Sequence, residues 1–233
     1  MIRRSGSTKV AHQFPLLALA CGLIQGDDIS ELKIQRDAAK VQETRLRRIC
    51  SQNPLAKRYL GGNLHDSTLM GVRIEPNHVE LIMDEFSTHC LFDVLARHIG
   101  LTTRACYKHA APLHIRFSGV KCVESLRIGT NGALRKCNPP TARSLMEWIA
   151  DEFVSVGPRG FCLGVLFCSR AGKYRLLIIE AVKMHFVERQ RQAFLAAFGR
   201  RRLQVFERYW KARSHRPFDC SSVREFLDDA SRG

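Results

Sequence analysis

The chain has 233 residues, 45% of them hydrophobic, a formal net charge of +15 at neutral pH and a pI near 9.9. That is room for a real core in one ordinary domain with an extension, or in two small domains. The charge points to an anionic partner such as nucleic acid, an acidic protein or a membrane surface. No apolar run approaches the ~20 residues a membrane-spanning helix needs, so no transmembrane segment is expected.

Residues 1–29 resemble a secretory signal, with Arg3, Arg4 and Lys9 ahead of the apolar run Phe14–Ile24 and the small-x-small pattern Ala18-Leu19-Ala20 before Cys21. A cleaved signal, a lipoprotein box at Cys21 and a flexible extension all stay open. Nine cysteines, an odd and scattered set without any C-x-x-C, argue against export and for small buried thiols in a reducing compartment. The expected location is cytoplasmic, with export through residues 1–20 as the alternative.

Residues 30–61 form the next unit, a basic helical segment. Ile34, Ala38, Val41, Arg45 and Ile49 fall near helical spacing, though the apolar stripe is thin. Pro54 breaks or restarts the helix, and Gly61-Gly62 ends it.

Residues 62–187 read as an antiparallel sheet domain. Met70, Val72 and Ile74 alternate as a strand with a buried face, Glu75-Pro76-Asn77-His78 turns the chain, and Val79, Leu81 and Met83 return. A helix is expected from Ser87 or Thr88 to Ile99. Leu113, Ile115 and Phe117 give a strand, interrupted at Gly119-Val120 and continued over Cys122–Ile128. Thr130-Asn131-Gly132 signals a hairpin with a return strand over Ala133–Cys137. Thr141 then caps an expected helix in which Leu145, Trp148, Ile149 and Phe153 share a face. Gly157-Pro158-Arg159-Gly160 is a turn, Phe161–Cys168 a strand buried on both faces, and Tyr174–Val187 a long strand.

From Glu188 the period turns helical, so residues 188–233 are expected as helices packed on the same domain. The fold class expected from this order is α+β: an antiparallel sheet of about six strands built from hairpins, helices packed on one face, and a helical basic C-terminus.

Two groups of residues could carry function. His65-Asp66 has the form of a catalytic or metal-binding pair, but stands at the start of a strand without the helical histidine partners such metal sites use. Local structural bonding is the better reading. Between Arg189 and Arg216, nine Arg/Lys face the single acid Glu207. Arg189, Arg191, Arg200, Arg201, Arg202, Arg208, Lys211 and Arg213 are the candidate binding residues, with Phe206, Tyr209 and Trp210 on the helix face that would meet the core. His89, His98, His109 and His114 lack metal-ligand spacing, and Cys90 and Cys106 lack an adjacent base. Walker, G-x-G-x-x-G and Gly-x-Ser-x-Gly patterns are absent. No metal, cofactor or catalytic residue is assigned.

Leu64, His65, Asp66, Ser67 and Leu69, together with Phe117, Gly119 and Val120, carry a resemblance. The chain resembles small bacterial proteins of uncharacterised or immunity-protein-like type over residues 60–187. The resemblance implies a binding role rather than an enzymatic one. Immunity proteins to nucleases are acidic, and this basic chain departs from that. The expected function is therefore a non-enzymatic binding protein, immunity-like or regulatory, whose anionic partner is most simply a protein. The alternatives are a nucleic-acid-associated protein using the C-terminal arginines and a hydrolase using His65 and Asp66.

Overall fold

The structure, a computed structural model, describes residues 14–22, 28–62, 64–84, 112–129, 133–141 and 144–187. Among these residues three helices, α1 (Pro15–Ala20), α2 (Asp28–Gln52) and α3 (Ala56–Tyr59), precede nine strands. The strands are β1 (Thr68–Glu75), β2 (His78–Asp84), β3 (Leu113–Ser118), β4 (Cys122–Ile128), β5 (Leu134–Lys136), β6 (Met146–Gly157), β7 (Gly160–Ser169), β8 (Tyr174–Ala181) and β9 (Lys183–Val187). All nine form one antiparallel sheet in the order β5-β4-β8-β7-β6-β1-β2-β3-β9.

That order closes on itself. β3 and β4 are one run of chain kinked at Gly119, whose φ is +63°. β8 and β9 are a second run, interrupted only at Val182. β4 pairs with β8 near one end of the order, and β3 pairs with β9 at the other. The Lys121 N–H donates to Glu180 O at 2.8 Å and the Val182 N–H to Ser118 O at 3.1 Å, carrying the ladder through both kinks. The sheet is thus a barrel, a shape that leaves few free edges.

The expectation of an α+β domain with about six strands and helices on one face is overturned. The described part is dominated by the nine-stranded sheet, and its helices lie on both sides of the barrel wall. Phe14 and Leu17 of the α1 region pack outside with Leu126, Leu166 and Leu176. Ile49, Ala56, Tyr59 and Leu60 join the inner core with Trp148, Phe117, Phe167 and Leu177. The expected helices over 87–99 and 188–233 lie outside the described residues. Phe14–Gly22, within the signal-like stretch, is placed against the barrel, with Phe14, Leu17 and Ala18 buried.

Two β-bulges explain the largest local misreading. Residues 146–157 are a strand, not the helix expected from Thr141. Register shifts between Trp148 and Ala150 and between Phe153 and Ser155 each insert an extra residue. They turn a period of two into a spacing that imitates a helical face. A further shift between Leu69 and Gly71 does the same in β1. Leu69, not Met70, enters the core, and Met70 is 49% exposed. Val72 still packs on the core, while Ile74 at the hairpin tip is half-exposed.

The thin apolar stripe of α2 also has a cause. β6 pairs with β1 only at Thr68–Glu147, so its far half has no neighbouring strand on that side. Helix α2 fills the gap with polar side chains. Gln42 Oε1 accepts from the Phe153 N–H at 2.9 Å, Arg45 donates to Phe153 O at 2.6 Å, and Arg48 donates to Val156 O at 2.9 Å. Buried backbone groups need such partners, and here a helix face supplies them in place of a strand.

Candidate functional site

All eight candidate binding residues, Arg189, Arg191, Arg200, Arg201, Arg202, Arg208, Lys211 and Arg213, lie outside the described residues. His65 and Asp66 sit in a turn that ends just before β1 rather than within a strand. Their side chains pair with each other, His65 Nδ1 to Asp66 Oδ1 at 2.9 Å, and both are about half exposed. Asp66 has φ +66°, a left-handed conformation that aspartate tolerates. Its N–H donates to Trp148 O at 3.0 Å, while the Trp148 N–H donates to Ser67 O at 2.8 Å. The motif therefore works through its backbone, tying the start of β1 to β6 where the barrel wall joins. No group of three His, Cys, Asp or Glu able to hold a metal occurs among the described residues.

Among the described residues three carboxylates are buried, and each has structural work. Asp151 Oδ2 accepts from the Gly61 N–H at 2.8 Å, and its Oδ1 from the Gly62 N–H at 3.2 Å and Trp148 Nε1 at 3.3 Å. Burial pushes its carboxyl up, and the three donors pull it back only in part. Glu80, on the outer face of β2, accepts from Arg116 Nε at 2.7 Å and from Arg73 Nη1 at 3.2 Å, and lies 3.0 Å from His114 Nδ1. Burial raises its carboxyl, but hydrogen bonds to Arg116 and His114 outweigh that and hold it below its ordinary range. Glu152 Oε2 caps α1, accepting from the N–H groups of Leu16 at 2.9 Å and Leu17 at 3.1 Å.

Burial pushes Glu152 up to about 7 from 4.5, against the pull of those two N–H groups. Because the folded value is the higher one, folding takes up a proton between 4.5 and about 7. Stability contributed by the protonated group is fully present below 4.5 and is lost as pH rises to about 7. By linkage this window is worth about 3 kcal/mol. Urea unfolding across it should show wild-type stability falling with pH, and Glu152→Gln should flatten that slope.

A cleft of about 300 Å³ lies between the C-terminal end of α2 and β9. Ile49, Phe161 and Met184 are among its apolar lining residues, and Asn53, Lys183 and His185 among its polar ones. Asn53 Nδ2 already donates to Met184 O at 2.8 Å. His65 and Asp66 do not line it.

The arrangement with the clearest chemical capacity is a row of arginines. Arg135 on β5 is the direct cross-strand partner of Arg127 on β4, and Arg127 is the direct partner of Arg175 on β8. Arg175 in turn faces Phe167 on β7. The row shares the strand face of Leu177 and Ile179 but lies at the end of the barrel, where that face meets solvent. Arg127 and Arg135 are exposed and Arg175 is half-buried. Arg175 Nη1 donates to Asn138 O at 3.2 Å, which positions its guanidinium. No carboxylate pairs with any of the three among the described residues. Arg170 and Lys173, both exposed, stand on the adjacent β7–β8 turn. Like charges directly opposite one another on adjacent strands destabilise a sheet. An anion laid across the row would relieve that repulsion and meet planar, multiply donating heads suited to carboxylate or phosphate.

Comparison with family models, with curated proteins and with solved structures returns no match to this chain.

Proposed function

We propose that the protein is a non-enzymatic binding protein that engages an anionic partner, and that the Arg135–Arg127–Arg175 row is a contact surface. The observation that carries this reading is the direct cross-strand opposition of three arginines with no carboxylate partner among the described residues. The chain-wide charge of +15 supports it by drawing anions to the whole molecule. The buried carboxylates support it too, since Asp151 and Glu152 are engaged by backbone N–H groups and Glu80 by two arginines and a histidine. His65 and Asp66 form an exposed pair away from the cleft, which favours a structural role for the motif.

Retention on immobilised heparin tests the reading. The triple variant Arg127→Ser, Arg135→Ser, Arg175→Ser should elute at clearly lower salt than wild type, while His65→Ala with Asp66→Ala should elute with wild type. Co-elution of the arginine triple variant with wild type would refute the proposed surface.

A further inference from the structure

We infer that the occupant of the arginine row is the phosphodiester backbone of a nucleic-acid duplex, held without base readout. This rests on the anionic-partner reading above and narrows it to one chemistry.

The first ground is spacing and rigidity. Neighbouring strands lie about 4.8 Å apart, so three opposed arginines on β5, β4 and β8 set cations along a line of roughly 10 Å. That line runs across the strands and meets Phe167 on β7, while Arg170 and Lys173 stand along the strand direction on the β7–β8 turn. A linear polyanion with evenly repeated charges matches such a line better than the scattered carboxylates of a folded protein. The second ground is head chemistry. All three positions are arginine, the side chain that grips phosphate oxygens with two parallel N–H donors.

The third ground is what surrounds the row. Protein interfaces carry an apolar centre inside a polar rim. The exposed large apolar side chains Leu32, Ile34 and Val41 lie on α2, Met70 and Ile74 on β1, and Val182 between β8 and β9. Among the described residues, Leu145, before β6, is the only one in the chain segment joining β5 to β6. None of these exposed side chains is aromatic, and the half-buried Tyr174 packs with Leu176 on the opposite strand face, so among the described residues the row carries no aromatic on which unpaired bases would stack. The row therefore offers phosphate contacts without stacking or base-edge contacts, the mode that binds duplexes irrespective of sequence.

The test is fluorescence anisotropy of the full chain with two labelled DNA duplexes of unrelated sequence, a labelled single strand of equal length and a labelled polyglutamate, each titrated over a range of salt. The two duplexes should bind alike and more tightly than either other probe. In the variant Arg127→Ser, Arg135→Ser, Arg175→Ser, the slope of log affinity against log salt should become shallower by about 2 to 3, at about 0.9 for each phosphate no longer neutralised. The same three positions changed to lysine should keep most of the slope, separating lost charge from a damaged fold. Duplex binding with an unchanged slope in the serine variant would overturn the inference, as would a single strand outcompeting the duplexes. Tighter binding of polyglutamate would overturn the inference while leaving the anionic-partner reading standing. Failure of every probe to bind would overturn both.

Discussion

Asp151→Ala is expected to lower the unfolding free energy by about 3–5 kcal/mol, enough to unfold much of the population of a domain of ordinary stability. The carboxylate is 5% exposed and accepts three hydrogen bonds, from the Gly61 and Gly62 N–H groups and from Trp148 Nε1. Gly61 and Gly62 have φ of +74° and +93°, so the turn after α3 points two successive N–H groups at one place. Removing Asp151 leaves the buried Trp148 Nε1 without its acceptor, at roughly 1–3 kcal/mol for a group left unsatisfied, and unties the turn at the exposed Gly61 and Gly62 from β6. Trp148 sits at the β1–β6 junction and packs edge-on against Phe167, with ring centroids 5.6 Å apart, so the loss reaches the centre of the core. Urea unfolding monitored by tryptophan fluorescence should show a lower midpoint with little change in slope. A midpoint within error of wild type would mean that these hydrogen bonds are replaceable.

Gly164→Val is expected to detach α1 while leaving the barrel folded. A Cβ at position 164 would stand 2.7 Å from Phe14 Cδ1 and 3.0 Å from Leu17 Cδ1, closer than carbon atoms approach. Phe14 and Leu17 are each 1% exposed, and burying a large apolar side chain is worth about 1.5–3 kcal/mol. Displacing both removes roughly 3–6 kcal/mol of local docking energy and separates Glu152 from the N–H groups of Leu16 and Leu17. Limited proteolysis should cut the variant near residues 14–27 far faster than wild type, leaving a resistant fragment that begins near α2. An unchanged cleavage rate would mean that α1 does not depend on this contact.

The elements legible in the sequence are those whose pattern is local. The Pro76-Asn77 turn, the buried alternation Val79–Leu81–Met83, the doubly buried β7 and the β6–β7 turn at Pro158 follow from neighbouring residues alone. Bulges hide the rest. An extra residue near Met70 swaps which side chain is buried, and two in β6 disguise a strand as a helix. Barrel closure is out of reach, because it depends on β8 and β9 pairing with β4 and β3 roughly 50 to 70 residues away. The polar face of α2 is equally opaque. Gln42 and Arg45 look like surface residues until β6 is seen without a strand beside it.

The arginine row shows the same divide. The hairpin between β4 and β5 is legible from Thr130-Asn131-Gly132, but its register is not. A two-residue turn at Asn131-Gly132 would pair Thr130 with Ala133, whereas the observed ladder pairs Ile128 with Leu134 and so sets Arg127 opposite Arg135. Arg175 joins them only through the long-range pairing of β8 with β4. Charge density directs attention to the C-terminal arginines, where cations are dense in sequence. The row's cations are sparse in sequence and adjacent only in space.

The most direct test of the arginine row is the thermal midpoint of Arg127→Ser, measured with and without an added anionic polymer such as heparin. The central arginine opposes a like charge on both sides, so its removal should raise the midpoint of the free protein. The polymer should raise the wild-type midpoint by binding the folded state, and should raise that of the variant much less. A lower midpoint for the free variant, together with an undiminished shift on adding polymer, would contradict the claim that this row is kept for an anionic partner.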